Sequence, residues 1–203
     1  FKAPWDAPQT GPLQAPGRYS AELVVVSATG VRRLGSPQSF GVKPVPTAPS
    51  GTDFMAVAAF QQQTAELRRQ VSAAGAKVGF VREQLRHMRA AALQAPRANP
   101  DLFTRFDSVT KGLAGLELRL SGDPSRQALN ESDAPSISSR VGQVMDGHWQ
   151  TRQTPTATQR RDIEITSGAL ETLTRDLKAL VEGDLARLKE DIEAAGAPWT
   201  PGR

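Results

Sequence analysis

Apolar and polar positions along this chain follow two different periods, which separate a short N-terminal part from a longer C-terminal part. Between residues 53 and 94, apolar or small side chains recur at steps that alternate between three and four residues. This is the spacing of a heptad repeat, so we predict one long helix with a continuous buried stripe. Asp53 is placed to cap its first turn, and Pro96 prevents its continuation. The stripe consists of Val57, Phe60, Thr64, Leu67, Val71, Ala74, Val78, Val81, Leu85, Met88 and Ala92.

The same pattern predicts two further helices, over 99–120 and 155–195. Asn99 followed by Pro100 marks the start of the second, because asparagine caps a helix well and proline is favoured at the first helical position. The loop before Asn99 is short, so the first two helices are expected to run antiparallel. The stripes are Leu102, Phe106, Val109, Leu113, Leu116 and Leu120 in the second helix, and Ile163, Thr166, Leu170, Leu173, Leu177, Val181, Leu185, Leu188, Ile192 and Ala195 in the third.

Two irregularities interrupt these stripes. The four-residue steps from Leu177 to Val181 and from Val181 to Leu185 break the heptad, so we expect the supercoil to unwind locally there. Gly75 and Gly79 lie inside the first helix, where each costs up to about 1 kcal/mol relative to alanine unless another helix approaches closely.

The N-terminal part has the period of a β-strand. Residues 1–52 hold eight of the 15 prolines, which excludes a long helix there. A second short run contains Phe40 and Val42, and Ala28-Thr29-Gly30 lies between the two runs, so we predict an antiparallel pair over about 18–44. In the first run, apolar positions alternate with Arg18, Ser20, Glu22 and Val24; the apolar positions are Tyr19, Ala21, Leu23 and Val25.

These patterns together predict a fold and a domain organisation. A lone two-stranded sheet is marginal in water, so we infer that residues 1–45 are the last strands of a β-sandwich whose remainder lies upstream of Phe1. Residues 46–52 are a proline-rich linker. Residues 53–203 form an elongated, coiled-coil-like antiparallel bundle of three long helices, so the chain is mainly α. The connection over 121–154 is expected to be irregular, interrupted at Gly142 and Gly147 among other positions, with one short helix around Ser136–Met145.

Charge adds an expectation about packing. The chain has 25 Lys and Arg against 21 Asp and Glu, a net charge of +4. Residues 53–100 carry seven basic and three acidic side chains, whereas 161–195 carry five and nine. Opposite flanks favour pairing of the first and last helices, although both flanks can equally be solvated faces.

Composition limits the chemistry that this chain can perform. It has no cysteine and two histidines, which excludes disulfides, thiolate metal sites and thiol catalysis. No apolar run approaches the length of a membrane span. The basic first helix lacks interleaved aromatic residues, so no nucleic-acid partner is expected. We predict no cofactor and no metal site.

Candidate functional residues lie in the connection over 121–154. Asp146, His148 and Trp149 can in principle stack on a sugar and hydrogen-bond to it, or they can anchor the connection by packing. Glu131, beside Asn130, either lines a pocket or hydrogen-bonds the backbone of the loop. Glycoside hydrolysis needs two carboxyl groups about 5–10 Å apart, one with a raised pKa, and no catalytic pair stands out.

Several segments of the chain resemble the C-terminal region of bacterial sortilin-like proteins with BNR-type β-propeller repeats, which are often labelled glycosyl hydrolases. The similarity extends over essentially the whole chain. Its motifs are Pro16-Gly17-Arg18-Tyr19, Ser39-Phe40-Gly41-Val42-Lys43-Pro44, Leu120-Ser121-Gly122-Asp123, Asn130-Glu131, Pro135-Ser136-Ile137, Arg140-Val141, Gly147-His148-Trp149, Pro155-Thr156, Thr158-Gln159-Arg160 and the final run from Ala194 to Arg203.

The resemblance implies an exported, periplasmic or extracellular parent with one or two N-terminal propellers, an immunoglobulin-like module whose last strands are 1–45, and the helical bundle. Any glycosidase site would belong to the propeller, so no catalytic residue carries over to this chain. Asn130, Glu131, Arg140, His148 and Trp149 carry over only as a structural signature.

Two hypotheses of different classes follow. In the first, this segment is a noncatalytic structural and interaction region that docks on its own propeller or on a second copy of itself. In the second, it is an accessory part of a propeller glycoside hydrolase, in which Glu131, Asp146, His148 and Trp149 line one side of a glycan cleft. The second requires these side chains to converge on an open cavity, whereas the first buries Trp149 against the helical stripe.

Overall fold

The computed structural model describes residues 11–44 and 50–198. The chain is mainly helical and an antiparallel β-hairpin precedes its helices, which confirms the predicted fold class at this level. Residues 1–10, most of the predicted proline-rich linker and the last five residues of the chain lie outside the described ranges. The elements are β1 (Gly17–Ser27), β2 (Gly30–Val42), α1 (Phe54–Ala92), α2 (Pro100–Ser121), α3 (Pro124–Ala128), α4 (Ile137–His148), α5 (Ala157–Ala179), a π-helical turn (Leu180–Leu185) and α6 (Ala186–Ala194).

The chain divides into two compact units, which are described separately. The first contains the residues up to Ala65 together with Met145–Ala157, and the second contains Glu66–Val144 and the residues from Thr158 onward. The hairpin therefore belongs to the first unit, and α2, α3, α6 and all of α5 after Ala157 belong to the second. Helices α1 and α4 each contribute residues to both units.

The hairpin forms around a two-residue turn. Ser27 pairs with Gly30, and Gly30 adopts a φ of 130°, a value that glycine reaches without steric cost. The register shifts between Ala21 and Leu23, which marks a β-bulge. At the base of the hairpin, Tyr19 stacks on Phe40 with ring centroids 6.0 Å apart. The two strands pair as predicted, with the turn at the predicted place.

The buried stripe of α1 follows the heptad prediction. All its members are buried except Ala74, which is half-buried. Asp53 caps the helix as predicted, since its Oδ1 accepts a hydrogen bond from the Ala56 amide at 3.0 Å. Neither glycine of α1 is required by a close approach of another helix. A Cβ on Gly75 would lie 3.8 Å from Leu120, an ordinary contact, and one on Gly79 would meet nothing within 4 Å.

Helix α2 starts and packs as its sequence predicts. Asn99 Oδ1 accepts a hydrogen bond from the Leu102 amide at 3.0 Å, Pro100 occupies the first turn, and every residue of the predicted stripe is buried. Ion pairs connect α2 to helices on both sides. Arg82 and Arg89 of α1 pair with Glu117 and Asp107 of α2, and Arg105 and Arg119 of α2 pair with Asp191 of α6 and Asp176 of α5.

These ion pairs place charge differently from the expectation. We expected the basic α1 to pair with the acidic last helix, but the pairs described above connect each of them to α2. In both sets, residue numbers rise along one helix as they fall along the other, so the helices that pair run in opposite directions. In each of these four pairs the arginine belongs to α1 or α2, and the acidic residue belongs to α2, α5 or α6.

The last helix contains a π-helical turn at the predicted irregularity. The turn spans Leu180–Leu185, where the heptad was expected to break. The predicted stripe is wrong at one position, since Val181 is only half-buried and Leu180 is buried instead. The physical reason is that a π turn accommodates one extra residue, so the buried positions run from Leu177 to Leu180 and then to Leu185. Leu180 Cδ1 lies 3.1 Å from the place that a Cβ on Gly112 would take.

The connection over 121–154 is more helical than predicted, and this corrects the placement of the candidate residues. Asp146 and His148 belong to α4, which extends three residues past the expected end at Met145. Gly142 and Gly147 indicated breaks, but Ile137, Val141, Val144, Met145 and His148 are all buried at helical spacing and hold the helix together. Helix α3 was missed as well, although Asp123-Pro124 carries the same kind of signal as Asn99-Pro100.

Candidate functional site

His148 and Trp149 take part in a packed cluster in the first unit. His148 is 1% exposed and its ring meets Phe60 edge-on, with centroids 4.8 Å apart. Its Nε2 lies 3.1 Å from the carbonyl oxygen of Gln153, to which an Nε2-protonated ring donates. The imidazole is therefore enclosed by an aromatic ring and the backbone that follows α4.

Trp149 is half-buried and is attached to α1 by a side-chain hydrogen bond. Its Nε1 donates to Thr64 Oγ1 at 2.9 Å, and the Thr64 hydroxyl donates to the Gln61 carbonyl at 2.9 Å. Thr64 is one of the stripe residues of α1 and is fully buried. This is the contact that the packing interpretation of Trp149 requires, since an indole that hydrogen-bonds a buried threonine has its polar atom already satisfied.

A second polar contact lies beside this cluster. Gln61, also buried, accepts a hydrogen bond on Oε1 from the backbone amide of Leu13 at 2.8 Å, which attaches the segment before β1 to α1. In this unit, side chains of α1 and side chains at the end of α4 therefore meet in a core of aromatic contacts and hydrogen bonds. Asp146 is exposed, and it belongs to no group of three metal-ligating side chains among the described residues.

Asn130 and Glu131 have a local role in the chain reversal after α3. Asn130 adopts a φ of 52°, a left-handed conformation that asparagine tolerates better than most residues. The Glu131 amide then donates to the Arg126 carbonyl at 2.9 Å, and the Glu131 side chain is exposed. Both residues therefore close the C-terminal end of α3.

Arg140 lies on α4 and pairs with Asp162 of α5 at 3.4 Å, in a half-buried position. Among the candidate residues predicted from the sequence, Arg140 lines a cavity of the second unit. Arg119 and Arg126 line the same cavity. Sequence reasoning missed the other two arginines, because they are separated by irregular structure and no motif connects them.

Two carboxyl groups, those of Glu66 and Glu83, have a lowered pKa, whereas a general acid needs a raised pKa. Hydrogen bonds from Arg69 and then from Gln70 hold the pKa of Glu66 below its usual range. A hydrogen bond from Arg86 lowers the pKa of Glu83 in the same way. Both carboxylates are exposed on α1, so these shifts reflect pairs on a helix surface. Within the described residues there is also no group of three metal-ligating side chains.

The most conspicuous surface of the first unit is the hairpin tip, which we define as residues 23–34. Alternation along β1 places Leu23 and Val25 on one face and Val24 and Val26 on the other. Leu23 is 66% exposed, and Val26 and its cross-strand partner Val31 are 74% and 68% exposed. An ordinary antiparallel strand with one solvated face alternates apolar and polar residues, whereas β1 carries exposed apolar side chains on both faces of the tip. Arg32 and Arg33 of β2 lie across from Val25 and Val24, so each face also holds one arginine.

The expected buried face of the hairpin is therefore exposed in the described chain. The sequence contained the signal for two apolar faces, because Leu23-Val24-Val25-Val26 is a continuous apolar run of the kind seen in strands covered on both sides. Each strand also pairs on one side only within the two-stranded sheet, so backbone donors and acceptors remain along both edges.

A groove of about 840 Å³ lies between α1 and α5 in the second unit. Ala73, Ala74 and Leu170 line it, together with the basic side chains Lys77 and Lys178. Ala74, the half-buried member of the predicted stripe, therefore faces this groove.

Comparisons with known proteins add no relative to this picture. No family model, no curated protein and no solved structure matches the chain. Among the described helices, none combines the length and apolar character needed to cross a bilayer.

Proposed function

We propose that this chain is a noncatalytic structural and interaction region of an exported β-propeller protein, and that the hairpin tip is its docking element. The observation that carries this proposal is the exposure of apolar side chains on both faces of the tip. Clustered exposed apolar residues in a strand with open edges mark a surface that is covered when the protein is assembled. The motifs that resemble sortilin-like BNR-repeat proteins support the propeller parent.

In this proposal the hairpin is the last part of an immunoglobulin-like sandwich. A sandwich covers one face of each sheet with the other sheet, and its edge strands pair with neighbours. The two long strands, the bulge and the open edges all suit such a position. The helices that follow then form an antiparallel bundle of three long helices, an arrangement supported by the buried stripes and by the ion pairs through α2.

The packing of His148 and Trp149 favours this role over that of a glycan cleft. A sugar-binding tryptophan presents its ring and indole nitrogen to the ligand, whereas the Trp149 nitrogen is bonded to buried Thr64. His148 is enclosed beside Phe60. Both side chains thus stabilise the first unit, and neither is needed for chemistry in the proposal.

A pair of hairpin substitutions tests the docking role. Leu23→Ser with Val26→Ser removes one apolar side chain from each face of the tip. Leu129→Ser is the matched control, because Leu129 is 70% exposed but lies outside the hairpin. All three proteins are expected to keep the same helical content, since the replaced side chains are exposed in the chain.

Light scattering coupled to size exclusion then measures mass for the chain alone and for the chain mixed with the N-terminal modules of its parent. We expect the wild type and the control to form a complex, either with those modules or with a second copy, and the double variant to remain monomeric. A double variant that assembles as the wild type does, or a wild type that stays monomeric in both settings, contradicts the proposal.

A further inference from the structure

An open cavity of about 740 Å³ in the second unit carries an inference that is independent of the hairpin. It lies where the C-terminal part of α2, α3, the start of α4 and the middle of α5 meet. Its volume falls within the roughly 300–1,000 Å³ of small-molecule sites. Arginines and apolar side chains share its lining, which includes Leu118, Arg119, Arg126, Pro135, Ile137 and Arg140.

The three arginines come from three different helices and each has one acidic partner. Arg119 Nη1 lies 2.6 Å from Asp176, Arg126 Nη1 lies 3.9 Å from Asp133, and Arg140 Nη1 lies 3.4 Å from Asp162. A guanidinium group has five N–H donors. Since these pairs use Nη1, the Nε and Nη2 donors of each arginine remain without a partner among the described residues and are able to bind a ligand.

Two aspartates also line the cavity, but their oxygens are directed to the backbone. Asp123 Oδ1 accepts a hydrogen bond from the Ser125 amide at 2.8 Å. Asp133 Oδ1 accepts from the Ala134 amide at 2.8 Å, and its Oδ2 accepts from the Asp123 amide at 3.3 Å. Three of the four carboxylate oxygens thus hold the wall in shape, which leaves the guanidinium N–H groups as the most numerous charged partners for a ligand.

The start of α4 adds positive potential to the same wall. Ser136, which lines the cavity, caps this helix by accepting a hydrogen bond on Oγ from the Ser139 amide at 3.1 Å. The N-terminal end of a helix carries a partial positive charge and favours a nearby anion. The lining holds three arginines and two aspartates, and Asp176 and Asp162 pair with two of the arginines from outside it. Counted with these partners the site has no excess of positive charge, so a monoanion that uses the remaining N–H donors fits it better than a phosphate dianion.

We propose that this cavity binds an organic monocarboxylate with a short apolar body. Guanidinium groups match the planar, two-oxygen geometry of a carboxylate. Leu118, Pro135 and Ile137 provide the apolar contact for the rest of the ligand. Two sources present this chemistry, a free small acid and the carboxyl terminus of a peptide with an apolar last residue.

Titration with hexanoate, followed by NMR shifts of backbone amides, tests the site on the intact chain. Hexanamide is the matched neutral ligand, with the same size and apolar body. We expect hexanoate to give saturable shifts at the amides of Ser136, Ile137 and Thr172, and hexanamide to give none that saturate. Equal shifts for both ligands, or no saturable shift with hexanoate, overturn the proposal.

Two arginine variants locate the binding. Arg126→Gln is expected to weaken hexanoate binding by at least about fivefold, because a charge-assisted hydrogen bond is lost. Arg161→Gln is the control, since Arg161 is an exposed arginine of α5 with an acidic partner at 3.7 Å and does not line the cavity. Equal weakening in both variants overturns the assignment. Thermal melts of both variants establish that they are folded.

A tripeptide ending in leucine, with a free or an amidated carboxyl terminus, identifies the source of the ligand. Tighter binding of the free-acid peptide than of hexanoate points to a peptide terminus, and the reverse order points to a small acid. The double variant of the hairpin is expected to bind hexanoate as the wild type does. These experiments therefore test the ligand site and the docking role independently.

Discussion

At the scale of the residue, the contact of Trp149 with Thr64 explains why a tryptophan follows α4 directly. The threonine hydroxyl donates its proton to the Gln61 carbonyl and accepts from Trp149, so both of these hydrogen bonds are formed inside the first unit. The sequence placed Thr64 in the buried stripe by its spacing. It did not indicate that the partner would come from 85 residues away, because spacing along one helix carries no information about which side chain meets it.

A double-mutant cycle measures this contact. Trp149→Phe keeps an aromatic ring and removes the donor, so we expect a loss of about 1 kcal/mol in the free energy of unfolding. Thr64→Val removes the acceptor. If the bond exists, the combined variant loses about 1 kcal/mol less than the sum of the single losses in a urea titration. Additive losses would show that the two side chains do not interact.

Two glycines of α2 form another matched pair. A Cβ on Gly112 would lie 3.1 Å from Leu180, whereas one on Gly115 would meet nothing within 4 Å. Gly115→Ala is therefore expected to raise the free energy of unfolding by up to about 1 kcal/mol, the helix-propensity difference. Gly112→Ala should give a smaller gain or a loss, because Leu180 must move. Equal gains at both positions in thermal denaturation contradict the close approach.

At the scale of the element, the helical stripes were predictable to a large extent and the breaks were less so. The heptad pattern located every buried residue of α2 and most of those of α1. It missed flanking residues of α1 that are also buried, because the covered face of that helix is wider than a heptad seam; these are Ala58, Gln61, Ala65, Gln84 and Ala91. Helix α4 was shortened in the prediction, since Gly142 and Gly147 have low helix propensity and burial of Val144, Met145 and His148 outweighs that cost. Tertiary packing decides such cases, and the sequence of one segment does not contain it.

Leucines of α2 test the stripe assignment. Leu116 is 5% exposed and Leu118 is 49% exposed on the same helix. Leu116→Ala is expected to cost about 2–5 kcal/mol of stability, because it leaves a cavity in the core. Leu118→Ala should cost less than about 0.5 kcal/mol, as usual for a surface position. Similar costs for both substitutions in chemical denaturation would show that the buried stripe is wrongly placed.

The π turn makes an unusual prediction about deletions. Removal of Glu182 turns the five-residue step between Leu180 and Leu185 into a four-residue step, which restores the regular spacing of an α-helix. Circular dichroism and thermal melting should show a folded chain of near wild-type stability. Removal of Glu171 from α5 is the control, because it rotates every later buried residue off its face and should unfold the second unit. A chain that tolerates both deletions equally, or neither, argues against the π turn.

At the scale of the whole molecule, the sequence predicted a hairpin followed by helices, and it predicted that the hairpin needs a cover. The run from Leu23 to Val26 places apolar side chains on both faces of β1. The prediction assigned them to one face, because it assumed that strict alternation continues to the turn. The arginine cavity was not predictable, since its charged residues come from separate helices that only the folded chain brings together. The central claim is that the chain docks through its hairpin tip, and it rests on the exposed apolar side chains there.

Hydrogen–deuterium exchange of the β1 and β2 amides tests this claim most directly. The two-stranded sheet alone should exchange rapidly, because its edges are open and its apolar side chains are exposed. The account predicts that these amides, and above all those of residues 23–34, become strongly protected when the chain is joined to the proposed N-terminal modules or forms a complex with a second copy. Exchange that is equally rapid in the isolated chain and in the assembled protein would contradict it.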